Sequence, residues 1–238
     1  MVSLKTFALA GCVSLSATFA TAATVSISSI EGVWQNSLLS DGGTATGEGT
    51  SSISWGQPAT NLGASGFSFT SSSTPIVNDN PFEVGIFSHY NNPIYFTSLL
   101  STDLLVNVTG SVGGIGFSLM SSFSLTHDET SNSGTCEYSG ITVCPDRVSL
   151  VSSVTPTSSL EADGQIHTFF LDGFDTGGGP FTFFDTEENG LNTAVLVGRF
   201  ETTPSPIPLP AAGWMMLAAI GFLGAARKFR IPVRPMSG

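Results

Sequence analysis

The sequence predicts an all-β protein: an antiparallel β-sandwich of jelly-roll-like character, preceded by an export signal and followed by one C-terminal transmembrane helix. Three observations carry that expectation. Runs in which apolar and small polar residues alternate recur along the chain, separated by turns rich in Gly and Ser. No segment before the C-terminal tail sustains the 3.6-residue period of an amphipathic helix. Lysine is absent between Lys5 and Lys228 and helix formers are scarce, whereas Ser, Thr and Gly dominate.

Residues 1–23 read as a secretory signal. Lys5 supplies the basic start, Phe7 to Phe19 the apolar stretch, and Ala20-Thr21-Ala22 the small-residue cleavage pattern. Leu9-Ala10-Gly11-Cys12 also fits a lipobox, but Lys5 lies too close to Cys12 to leave a full apolar region between them. Residues 24–201 form the expected surface domain. Its strands are read at Val25–Ile27, Thr50–Trp55, Gly66–Thr70, Phe82–Tyr90, Tyr95–Val108, Gly116–Thr126, Val148–Val154, Gln165–Phe170, Phe181–Phe184 and Ala194–Phe200, which implies about eight to ten strands in one sandwich. Within Gly116–Thr126, Phe117, Leu119, Phe123 and Leu125 share one face, and Ser118, Ser124 and Thr126 the other, the pattern of a half-buried antiparallel strand. Residues 202–206, with Pro204 and Pro206, read as a linker, and residues 207–238 as the membrane-directed tail.

The tail begins Ile207-Pro208-Leu209-Pro210-Ala211, continues through an uncharged run to Ala226, and ends in Arg227-Lys228-Phe229-Arg230. At 1.5 Å per residue, Ala211 to Ala226 makes a helix of roughly 24 Å, adequate to span once the prolyl start is added. The two prolines suit a first helical turn, Trp214 suits the interfacial level, and the basic cluster stops transfer on the cytoplasmic side. This three-part tail resembles the PEP-CTERM class of bacterial sorting signals, and within it the VPLPA-CTERM variant, with Ile207 where that name has Val. The resemblance implies a transient anchor recognised by a membrane protease of the exosortase type and cut near Ile207 to Ala211. It speaks to address, not to chemistry. An ordinary single-pass anchor is the alternative.

The domain itself resembles the choice-of-anchor K family, a surface domain found upstream of alternative sorting tails. The likeness rests on Gly32-Val33-Trp34, Ile53-Ser54-Trp55-Gly56, Phe87-Ser88-His89-Tyr90-Asn91-Asn92-Pro93-Ile94, Phe123 to Thr130, the Cys136 to Cys144 loop and Leu191 to Phe200. It implies no catalytic residues.

Charge narrows the partners. All 18 acidic residues fall between Glu31 and Glu201 against Arg147 and Arg199 alone, so that span carries a net charge of −16. Nucleic acid and anionic lipid are therefore not expected as partners, while divalent cations or neutral polysaccharide fit such a surface. Once the signal is removed, Cys136 and Cys144 are the remaining cysteines, and an even count in an exported protein points to one structural disulfide.

Metal and catalytic signals are weak. Three imidazoles, His89, His127 and His167, together with Glu129 would satisfy a zinc site, but nothing in the sequence brings them together, and three separate loop or strand-edge histidines is the plainer reading. Asp185, Glu187 and Asn189 alternate before Gly190 like the opening of a calcium loop, yet Leu196 stands where an EF-hand needs glutamate. That leaves a non-EF calcium loop or an acidic hairpin turn. The glycines of Gly177-Gly178-Gly179 read as turn punctuation, because neither helix nor lysine follows. No Gly-x-Ser-x-Gly or His-Glu-x-x-His motif occurs, and no cofactor is expected. The sequence thus points to a non-enzymatic exported surface or matrix protein, with two alternatives. A glycan-binding module would expose Trp34, Trp55 or Tyr90. An envelope-polymer hydrolase would bury a carboxylate pair in a cleft.

Overall fold

The computed structural model describes residues 24–73, 76–77, 80–132, 135–138, 143–151 and 159–206. The expected signal segment, the lipobox and the sorting motif from Ile207 to Ala211 with its apolar run lie outside the described residues. Among the described residues no helix is long and apolar enough to cross a membrane.

The strands are β1 (Val25–Leu39), β2 (Ser52–Trp55), β3 (Gln57–Pro58), β4 (Ser65–Ser71), β5 (Ile76–Val77), β6 (Phe82–Asn91), β7 (Ile94–Tyr95), β8 (Leu99–Val112), β9 (Ile115–Asp128), β10 (Asp146–Leu150), β11 (Ser159–Ala162), β12 (Gln165–Asp175), β13 (Pro180–Phe181), β14 (Phe183–Thr186) and β15 (Gly190–Pro204). Every ladder is antiparallel. One sheet runs β14-β10-β9-β8-β1-β5 and the other β11-β12-β15-β6-β4-β2, with β13 beside β12 and a small β3-β7 ladder apart. The all-β antiparallel sandwich expected from the alternating pattern is present. Within the first sheet β8, β9 and β10 succeed one another as a meander. The β8–β9 hairpin turns on Gly113 and Gly114, both at positive φ, the conformation a two-residue turn requires to match strand twist.

Alternation decides what faces inward. On β9, Leu119, Ser121, Phe123, Leu125 and His127 are buried, while Ser118, Ser124 and Thr126 point outward. On β6, Phe87, His89 and Asn91 form the inward series. The facing series interleave as one apolar core, in which Trp34 of β1 lies against Phe67 and Phe87 of the opposite sheet, with ring centroids 5.5 and 6.0 Å apart. Phe123 meets Phe169 across the same gap at 6.0 Å. Each such ring removed from water contributes about 1.5–3 kcal/mol. Trp34 and Trp55 are 0% and 3% exposed, so neither offers a surface platform, whereas Tyr90 is 45% exposed.

Several boundaries differ from expectation, and the run read as Tyr95–Val108 divides into β7 and β8. β1 continues twelve residues beyond Ile27, to Leu39, through register shifts that break the period-two pattern, with Asn36 at φ 53°. Thr202, Thr203 and Pro204, in the segment read as a linker, pair with His167, Ile166 and Gln165. Glu187, Glu188 and Asn189 do not close a hairpin, because β14 and β15, which they join, belong to different sheets.

Candidate metal centre

One end of the sandwich holds a concentration of buried polar groups. His89 reaches it from β6, His127 from the last inward position of β9, and Asp146 from the first residue of β10. Register explains the meeting on one sheet: Val148 pairs with His127, so Asp146, two residues earlier, projects from the same face. His89 arrives from the other sheet, and its ring lies 5.0 Å from that of His127 at an interplanar angle of 89°. One metal-binding atom from each of His89, His127 and Asp146 lies within 4.8 Å of the other two. Glu129, just after β9, and Glu188, in the β14–β15 crossing, make a second group with Asp146 on the same scale. The Nε2 of His127 stands 3.6 Å from Oδ2 of Asp146, with both side chains 0% exposed.

Hydrogen bonds fix the tautomers. Thr186 is wholly buried and its hydroxyl donates to the Asp146 carbonyl (3.3 Å), leaving Oγ1 to accept from Nδ1–H of His89 at 2.8 Å. His127 donates from Nδ1 to the Leu99 carbonyl at 3.2 Å, since a carbonyl can only accept. With its proton on Nδ1, the His89 ring presents a lone pair at Nε2, the Nε2 of His127 faces Oδ2 of Asp146, and neither Nε2 has a hydrogen-bond partner. Asp146 accepts the Thr130 amide on Oδ1 (2.8 Å), so its Oδ2 is likewise left without one. Trp55 stacks over His89 (5.9 Å, 27°), and Phe67 packs edge-on to both imidazoles at 4.9 and 5.6 Å.

The electrostatics follow chiefly from burial. Burial, and then His127, hold His89 well below the ordinary imidazole range. Burial pushes Glu129 up to about 8, with Asp146 and then Glu188 adding repulsion. Burial also raises Glu188 to about 7, reinforced by Asp146 and opposed by Asn132, the Asn189 amide and His127.

The other sequence candidates separate cleanly. His167 is buried on β12, its Nδ1 3.2 Å from the Thr202 hydroxyl, and joins neither group. The reading of three separate loop or strand-edge histidines is therefore corrected for His89 and His127, which meet, while His167 stays apart; all three are buried. Asp185 is taken up by Arg147, which donates from Nε and Nη2 at 2.6 and 2.8 Å while stacking between Tyr138 and Phe183. Glu187 and Asn189 are exposed, and the Glu187 amide donates to Asn192. Asp185, Glu187 and Asn189 thus do not converge as a calcium loop would require. Cys136 and Cys144 lie at disulfide distance, with Cα atoms 4.9 Å apart, and close the β9–β10 connection. That places the crosslink two residues before Asp146, and Thr130 donates its hydroxyl to the Cys144 and Pro145 carbonyls at 3.2 and 3.1 Å.

Two chemical uses of the cluster can be compared. Glycoside hydrolysis needs carboxyl groups about 5–9.5 Å apart with room for sugar between them. Here the carboxylate oxygens lie within 4.8 Å, and three surface hollows among the described residues, of about 360, 470 and 480 Å³, are lined by other residues. Two imidazole lone pairs facing a carboxylate oxygen suit metal ligation instead. Comparison of the chain with protein-family models finds no match, and comparison with characterised proteins finds no significant similarity.

Proposed function

We propose that this is a non-enzymatic bacterial surface or extracellular-matrix protein, exported by its signal segment and delivered by an exosortase-type protease that processes the tail. The observation that carries the reading is the ordered tail: Ile207-Pro208-Leu209-Pro210-Ala211, an uncharged run and a basic end. The domain before it suits that destination. A sandwich with a −16 balance and a cysteine pair at disulfide distance suits an exported protein and repels nucleic acid. The inner membrane holds the chain only until the tail is cut, after which it resides at the cell surface or in exopolysaccharide.

Proline disfavours the helical region for the residue before it, so a sequence with prolines at 208 and 210 suits the extended form in which proteases accept a peptide bond. Sequencing the C-terminal peptide of the native protein tests the reading. An end between Pro204 and Ala211 is expected, with Pro208, Leu209 and Pro210 all changed to alanine causing the uncut form to accumulate in the membrane. Recovery of the intact chain through Gly238 from cells that possess an exosortase would sink it in favour of a plain anchor.

A glycan-binding role is the second reading. It is favoured by the shallow hollow of about 470 Å³ where Phe181 and Phe183, 48% and 41% exposed, meet Asp185 and Asn192. It draws no support from Trp34 or Trp55, which are core residues.

A further inference from the structure

Export and processing make no use of the histidine–carboxylate cluster, whose composition is hard to reconcile with a purely structural role. Buried polar groups are nearly always paired, and an unpaired one costs about 1–3 kcal/mol. Here Nε2 of His89, Nε2 of His127, Oδ2 of Asp146 and Oε2 of Glu129 are all buried without partners. His127 Nε2 and Asp146 Oδ2 stand 3.6 Å apart, beyond hydrogen-bond length, and one ring nitrogen of His89 lies within 4.8 Å of a ligand atom on each. Even a proton held between His127 and Asp146 would leave His89 Nε2 without a partner. Nor can a lysine or arginine satisfy them. Between residues 24 and 206 the only Lys or Arg residues are Arg147, engaged by Asp185, and Arg199, engaged by Asp172.

We propose that His89 Nε2, His127 Nε2 and Asp146 Oδ2 bind one divalent first-row transition-metal ion of the zinc type, with Glu129 and Glu188 balancing its charge. The ion would bridge the two sheets, because His89 belongs to one and His127 and Asp146 to the other. Two nitrogen ligands disfavour calcium and magnesium, which take oxygen. Each ligand is already oriented by a neighbour on its other polar atom: Thr186 on His89, the Leu99 carbonyl on His127 and the Thr130 amide on Asp146. That is the usual outer support of a metal site. Ligands about 2.0–2.1 Å from a tetrahedral ion stand about 3.3 Å apart. The 3.6 Å between His127 and Asp146 is close to that edge, and the 4.8 Å limit on the trio leaves a contraction that side-chain torsions can supply.

The test uses the full chain, purified in detergent without a polyhistidine tag, stripped with EDTA and desalted. Zinc sulfate is added, excess is removed, and bound metal is counted by mass spectrometry. In parallel, cobalt(II) is titrated and its visible d–d absorption recorded. About one zinc per chain is expected, with a higher melting midpoint and a cobalt spectrum of low-coordinate form, none of which calcium chloride reproduces.

Asp146→Asn is the decisive variant, because it is isosteric and keeps an acceptor for the Thr130 amide. It should retain the parent's circular dichroism without metal, yet lose zinc affinity by more than about 100-fold, beyond the usual effect of an outer partner. His127→Gln should do the same if it folds by circular dichroism, and His167→Gln should bind normally. A parent chain that retains no zinc at micromolar concentration would overturn the proposal. So would an Asp146→Asn chain that binds as tightly as the parent. Neither result would touch the processing of the tail.

Discussion

Replacing Thr186 by valine keeps the shape of the side chain and removes only its hydroxyl, at a position with no exposure. Two hydrogen bonds go with it. The 3.3 Å bond to the Asp146 carbonyl is near the limit and contributes little; the 2.8 Å bond from His89 is the stronger. His89 is also 0% exposed, so its Nδ1–H cannot turn to water. An orphaned buried donor costs about 1–3 kcal/mol, so ~2 kcal/mol is expected. For a domain of this size that is a fall of roughly 4–8 °C in the melting midpoint of the EDTA-treated chain, followed by circular dichroism. A shift of the proton to Nε2 would soften the loss, but would cap the proposed ligand nitrogen. Either way the zinc-induced rise in midpoint should shrink. Thr186→Ser separates the hydrogen bond from packing: it retains the hydroxyl, loses one methyl and should cost about 1 kcal/mol. A valine variant melting within a degree of the parent, with an undiminished response to zinc, would refute the argument.

The crosslink gives a second expectation: mass spectrometry of the non-reduced exported chain finds Cys136 and Cys144 joined and two hydrogens lighter, whereas free thiols at both positions would count against it. Changing both to serine should cost about 2 kcal/mol, the lower end of the usual range, because the loop enclosed is short. A third concerns pH in the metal-free chain. Glu129 and Glu188 titrate near 8 and 7 when folded against 4.5 ordinarily, so the folded state holds their protons longer than the unfolded state does. Their favourable contribution is complete below about pH 4.5 and is lost as pH rises through 7 to 8. Between pH 6 and 8.5 the EDTA-treated chain should lose roughly 1–3 kcal/mol, discounted for the partial exposure of both glutamates. A midpoint that stays flat or climbs over that interval contradicts this, and Glu129→Gln should flatten the slope.

How much of this is legible in the sequence depends on whether alternation survives. Phe123 and Leu125 mark the inner face of β9, and the same period carried one step further places His127 there. Phe87 does the same for His89 on β6. Both histidines were therefore readable as inward residues, against the impression given by the Asn91-Asn92-Pro93 turn that follows one and the acidic pair that follows the other. What no local pattern contains is that β6 and β9, in different sheets, bring these positions face to face. Asp146 escapes for another reason: a charged residue opening a strand looks like loop, and its burial is visible only through pairing with Thr186. Bulges hide the second half of β1, since each register shift inverts the face on which Val33, Trp34 and Leu38 would be counted. β11 alternates as Ser159-Leu160-Glu161-Ala162, but at four residues it is too short for the pattern to stand out.

Strand direction ties the cluster to the proposed surface role. β15 starts at Gly190, beside Glu188 and the cluster, and runs fifteen residues to Pro204, a distance of about 50 Å at 3.3 Å per residue. The chain leaves that far end toward the sorting motif, with Ser205 donating to the Gly164 carbonyl (2.9 Å) at the β11–β12 turn. Val25, at the start of β1, pairs with Val112 beside the β8–β9 turn, and a Cβ on Gly113 of that turn would strike Asp163. Both ends of the domain therefore leave from one pole. The disulfide and the cluster occupy the other, on the β9–β10 connection and the strand ends around it. A domain tethered by its tail would present that second pole outward, where no membrane or linker shields the strand ends from fraying. A covalent crosslink within one sheet and an ion joining it to the other resist different motions there, the first the opening of a loop and the second the parting of the layers. Loss of the ion should accordingly show first as faster amide exchange at the ends of β6, β9 and β10, while the protection of β12 and β15 near Gln165 and Pro204 stays unchanged.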